Sequence, residues 1–246
     1  MDKSKLNHLH LPYPAYRVWL APLIIFLMVI AAIYAWWQSN PSSASWEGLL
    51  PGAEVAKLEF CELNRMNDLL REPSNSWSNL AYLLYGLLII QMGLLDRRNP
   101  KPVNLLGRHP LWSYLIGGSL IYLCFGSFFY HASLTALGQQ FDMGGTYAVV
   151  YTPIIYCLVA ISLMRKPKAD IRRASVVGAV LIVAGWVGFF AFKWFLTGFI
   201  VLPLLIILSI AAFLRYVSVS KAYYNKQIAL GALGAVAGAF AIWQLD

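Results

Sequence analysis

A series of apolar blocks, separated by short polar breaks, constrains this chain more than any other feature. Each block is close to the ~20 residues that a helix needs to cross a bilayer. Of the whole sequence 59% is hydrophobic and only 12% is charged, whereas a soluble domain carries about a quarter charged residues. The apolar residues do not alternate in segments of about ten, which excludes a transmembrane β-barrel. The pattern predicts an all-α polytopic membrane protein with seven spans, at residues 18–37, 78–95, 111–130, 143–164, 174–192, 196–214 and 228–245. Only helices and closed barrels satisfy their backbone hydrogen bonds inside lipid.

The first block is too long for the ~7–15-residue core of a signal peptide. It ends in Trp36-Trp37, an aromatic anchor for the membrane interface, and not in a small-residue cleavage site. It reads as an uncleaved signal anchor.

The formal net charge is +8, but the basic residues lie in the breaks between spans, so the charge does not point to nucleic acid. If seven spans alternate, every Lys and Arg falls on one side except Lys57, Arg65, Arg71 and Lys193. That bias predicts a cytoplasmic N-terminus. Most acidic residues fall on the other, external side. A bacterial inner membrane suits the anchor and the absence of a long targeting segment. The three cysteines, Cys61, Cys124 and Cys157, form no Cys-x-x-Cys pair and indicate neither a disulfide framework nor a thiolate metal site.

Polar residues inside such a chain mark function, because burying them in lipid is costly. Ser127 and His131 are four apart, so they share a helix face. Asp142 follows a short break, at the start of the next block. All three fall on the external side. A neutral imidazole is a common zinc ligand, and a carboxylate can orient it or a metal-bound water. His8, His10 and His109 lie on the opposite side of a core about 30 Å thick and cannot join His131. The plain alternative is an interfacial histidine bonded to a neighbouring helix or to water.

The external segment before the second span holds Glu59, Glu62, Asn64 and Glu72. These hard oxygen donors suit calcium, although the spacing is not that of an EF-hand. The alternative is a solvated acidic loop. Gly117-Gly118, Gly144-Gly145 and the glycines of 231–238 suit close helix packing.

Taken together, these residues resemble the alkaline ceramidase family. That family is part of a set of seven-helix metal-dependent membrane hydrolases that includes the adiponectin and progestin receptors. Three matches carry the resemblance. One is Cys61-Glu62 with Asn64, followed by Glu72, Asn75, Ser78 and Asn79; the others are Ser127-x-x-x-His131 and Asp142, eleven residues after the histidine. The resemblance covers residues 59–246 and leaves 1–58 as an added tail, anchor helix and linker.

It implies hydrolysis of the amide of ceramide, or of a related N-acyl membrane lipid, to a long-chain base and a fatty acid. It also implies zinc on His131, with Ser127 and Asp142 assisting catalysis. A calcium ion is implied on Glu59, the Phe60 carbonyl, Glu62, Asn64 and Glu72. Glu59 stands where an aspartate is more usual, and Glu72 is one residue closer. The family's two other zinc ligands form a His-x-x-x-His on its last helix, a motif this sequence lacks. The chain is therefore expected to be an anchor plus six of seven core helices, with the last helix following Asp246. A family cysteine able to pair with Cys61 would also lie there. A lipid-binding or receptor-like protein without turnover is the competing class.

Overall fold

The computed structural model describes residues 13–40, 42–53, 55, 62–98, 105–166 and 168–220. The expected span at 228–245, the glycines of 231–238, His8, His10, Glu59, Phe60 and Cys61 lie outside these residues.

Among the described residues the chain is helical, with no named strand and two isolated antiparallel bridges, Ser42–Asp68 and Pro51–Thr135. The helices are α1 (Ala15–Ser39), the short α2 (Pro73–Ser78), α3 (Leu80–Asp96), the short α4 (Leu105–Arg108), α5 (Leu111–Ser133), α6 (Ala136–Arg165), α7 (Ile171–Ala191) and α8 (Gly198–Ser220). Among the described residues six helical segments are long and apolar enough to cross a membrane; α2 and α3 count as one, Pro73–Asp96.

α5 and α6 form the centre. α3 packs on α5, α7 and α8 pack on α6, and α1 lies outside α3. Among the described helices, α5 and α6 bury the most residues. One apolar cluster joins Trp112 of α5 and Tyr147 and Tyr156 of α6 to Ile182 of α7. A second joins Leu80 and Leu83 of α3 to Cys124 and Phe128 of α5, with Phe26, Val29, Ile30 and Ile33 of α1 against it. Helix α1 is thus packed on the bundle.

Glycine sets the closest approaches. A Cβ on Gly86 of α3 would stand 2.7 Å from the carbonyl oxygen of Gly117 of α5, and one on Gly126 of α5 would stand 2.6 Å from that of Phe141 of α6. No side chain fits there, and small residues are what allow helices to pack this closely in lipid. The outer helices instead expose apolar side chains such as Val180, Val187, Phe199 and Ile207.

The helices alternate in direction. Tyr13, just before α1, donates to Asp96 at the end of α3 at 2.9 Å. At the other end Gln140, early in α6, donates to the Phe190 carbonyl of α7 at 2.7 Å. The six expected spans that fall within the described residues match in order and differ at their ends. The largest difference is in α6, which starts at Ala136, so Asp142 sits in its second turn and does not open it. Thr135 explains this: its side chain accepts the Gly138 N–H at 3.1 Å and caps the helix early. The break between α5 and α6 is only Leu134 and Thr135.

Candidate active site

The site forms where α5 ends. Leu134 adopts a left-handed backbone, with φ 50° and ψ 37°, which is unfavourable for a residue with a Cβ by about 1–2 kcal/mol. Burial offsets that cost: Leu134 is 1% exposed and its N–H meets the Tyr130 carbonyl at 2.6 Å. The turn is pinned from outside as well. Gly52 N–H donates to the Leu134 carbonyl at 2.9 Å, and Ala136 N–H to that of Leu50 at 2.7 Å.

The last carbonyls of a helix lack partners within it. Here a strap before α2 supplies them. Arg71 N–H donates to the Ala132 carbonyl at 3.1 Å, and Glu72 N–H donates to that of His131 at 3.0 Å. These two backbone bonds bring the Glu72 side chain against the imidazole. Glu72 Oε2 lies 2.6 Å from His131 Nδ1. Glu72 is 1% exposed and the His131 side chain 16%. A carboxylate buried this deeply is stable only with partners, and Asn75 Nδ2 gives Oε2 a second bond at 3.2 Å.

The pair determines the chemistry of the ring. With Glu72 ionised, Nδ1 carries the proton of their bond. A neutral ring then has its lone pair on Nε2. This is how metal-ligating and proton-transferring histidines are commonly held.

Ser127 lies one turn before His131 and is buried, 6% exposed. The α5–α6 contact is at the same level: the Cβ position of Gly126 is 3.2 Å from Asp142 N. The Asp142 carboxylate also acts electrostatically on the phenol of Tyr82 on α3. Ser127, His131, Asp142 and Glu72 therefore gather at one end of the bundle. His131 and Glu72, which the sequence had placed in separate zinc and calcium sets, are in direct contact.

The described members of the expected calcium set do not converge. Both carboxylate oxygens of Glu62 accept backbone N–H groups at the start of α2, from Ser74 and Asn75, each at 2.8 Å. Partial burial on its own would raise the Glu62 carboxyl, but these bonds and the nearby Arg65 charge outweigh it and hold the carboxyl below its usual range. Asn64 Oδ1 accepts from Arg71 Nε at 3.0 Å. Glu72 Oε2 faces His131. These oxygens are directed at protein donors, so calcium does not fit the described residues.

Zinc fits in part. His131 is presented as a ligand would be, but a catalytic zinc takes about three protein ligands. Among the described residues no group of three His, Cys, Asp or Glu is placed to hold a metal ion, and no catalytic step is derived through one. Sequence reasoning missed the Glu72–His131 bond and the part played by Arg71. The available signal was Glu72-Pro73, an acid at the head of a span on the same side as His131.

The family model described as Ceramidase matches residues 52–246. Neither the curated proteins nor the solved structures gave a match.

Proposed function

This chain belongs to the ceramidase family, and we propose that it hydrolyses the amide of ceramide or a closely related N-acyl lipid, releasing a long-chain base and a fatty acid. Membership makes it a hydrolase of amide bonds, and six apolar helices suit a protein that works in a membrane. The observation that carries the site assignment is the buried bond between Glu72 and His131.

Amide hydrolysis forms a bond from a water oxygen to the carbonyl carbon and breaks the carbon–nitrogen bond. The nitrogen leaves with a proton. In our reading Glu72 fixes the Nδ1 hydrogen, which leaves Nε2 as the basic atom that takes the proton from water. The Ser127 hydroxyl, one turn earlier on the same face, donates to the carbonyl oxygen as negative charge builds there. His131 then returns that proton to the departing amine, and the Asp142 carboxylate, on the facing helix, stabilises the positive charge that the ring carries in between. Burial of this end strengthens each of these interactions.

The proposed topology puts the N-terminus in the cytoplasm and the site at the outer face of a bacterial inner membrane, where a lipid reaches it from the bilayer. Of the described basic residues, Arg17, Arg97, Arg98, Arg165 and Arg172 lie at the end of the bundle opposite His131, and Arg65, Arg71 and Lys193 lie at the His131 end. Reporter fusions after residues 40 and 166 should read external and cytoplasmic respectively; the reverse result refutes this orientation.

The deciding experiment uses full-length protein in mixed micelles with a panel of ceramides. Wild type should turn over, and His131→Ala should lose about 10²–10⁴-fold in rate. Elemental analysis of the same samples separates the two uses of the Nε2 lone pair: zinc lost with the variant means that Nε2 holds the metal, and no zinc in wild type means that it takes the proton itself. Undiminished turnover by His131→Ala refutes the assignment. Ceramide binding without turnover by the wild type favours the lipid-binding reading.

A further inference from the structure

Two of the expected calcium donors, Asn64 and Glu72, lie beside a side chain that neither the zinc nor the calcium set includes. Arg71 lies half-buried in the strap. Its Nε donates to Asn64 Oδ1 at 3.0 Å, and its Nη1 donates to the Ser133 carbonyl at 3.2 Å. Its backbone N–H bonds the Ala132 carbonyl, and its carbonyl accepts from Arg65 N–H at 2.9 Å. The next residue, Glu72, puts its negative charge beside the guanidinium. One side chain therefore ties an amide oxygen of the strap to a terminal carbonyl of α5 and balances a buried carboxylate. Hard oxygens of this kind are what a calcium ion binds, and a planar, permanently charged fork meets them equally well.

We infer that Arg71 is a built-in cation, standing where the oxygen-rich strap would otherwise need a calcium ion, and that it is the positioning residue that sets Glu72 against His131. The geometry supports both halves. A guanidinium between Asn64 and Ser133 fixes the distance from the strap to the end of α5. Glu72 follows directly on the same backbone, with its N–H on the His131 carbonyl. A covalently attached cation leaves the strap indifferent to free calcium. This inference concerns the strap and stands whether or not the chain hydrolyses ceramide.

The test is thermal unfolding of the full chain in detergent, with millimolar calcium or with excess EGTA. The wild-type midpoint should be the same in both. Arg71→Ala should unfold about 4 °C or more below wild type in either buffer. Methylguanidinium should return at least half of that loss, and methylammonium should return little. Histidine ¹⁵N NMR of Arg71→Ala, with His131 identified by its loss in His131→Gln, should show a changed Nδ1 signal, because the Glu72 bond has loosened. If Arg71→Ala does not accumulate, Arg71→Lys replaces it; a single ammonium cannot span both oxygens, so its midpoint should still fall below wild type. A wild-type midpoint raised by calcium overturns the inference. So does a wild-type midpoint in the Arg71 variant, a loss that methylguanidinium does not recover, or an unchanged Nδ1 signal.

Discussion

The α5–α6 end of the bundle and the α7–α8 flank are built from similar apolar sequence and behave in opposite ways. At the α5–α6 end, contacts are directed. Backbone N–H groups of Arg71 and Glu72 in the strap meet carbonyls of the last turn of α5, and buried Glu72 meets His131. On the flank, α7 buries only Ser175, Gly178 and Ile182, and α8 only Leu205 and Ala212. Their apolar side chains face outward and need only be apolar. Lipid replaces one such side chain by another at little cost, whereas a lost hydrogen bond at a buried site leaves a group unsatisfied. The chemistry therefore concentrates where packing is least tolerant.

Substitutions should separate the two regions. Gly126→Ala is expected to have the largest effect, because its methyl meets the backbone of Phe141 and no side chain can move aside. About 1–3 kcal/mol of stability should be lost, with activity falling too, since α6 carries Asp142. A midpoint equal to wild type would mean that α5 and α6 are not this close.

A smaller effect belongs to Glu62→Gln. The folded carboxyl of Glu62 lies below its unfolded value, so its contribution is present above the unfolded pKa and is lost as pH falls through the folded one. Wild type should exceed the variant by on the order of 1 kcal/mol at neutral pH. The two midpoints should converge below about pH 4. A difference that persists in acid would mean that the carboxylate charge is not what caps α2. Smallest is Val180→Ala on α7, at a position 62% exposed, which should change stability by less than about 0.5 kcal/mol. A larger loss would show that the flank is covered by more than lipid.

The order of the spans, from α1 to α8, was legible in the sequence because apolar length and charged breaks record what lipid requires. So were Ser127, His131 and Asp142, as polar residues at the ends of apolar blocks. The start of α6 was misplaced because Ala136–Gln140 is only moderately apolar, and the capping threonine, not hydropathy, sets that end. The partner of His131 was not legible. Glu72 lies 59 residues away, and the bond depends on the strap pairing with the terminal carbonyls of α5, which no side-chain pattern records. Acids close together in sequence looked like a donor set for calcium. Of the described donors, Glu62 instead meets backbone N–H groups, Glu72 an imidazole and the Asn64 amide oxygen a guanidinium, because the path of the strap directs each one differently.

The central claim is that Glu72 and His131 work as one unit. It is tested most directly by a double-mutant cycle on ceramide hydrolysis with full-length wild type, Glu72→Gln, His131→Ala and the double variant. Glu72→Gln should cost about 10–100-fold. In the His131→Ala background the same change should cost almost nothing further, since the ring that Glu72 orients is gone. Equal losses in both backgrounds, or wild-type turnover by Glu72→Gln, would contradict the account.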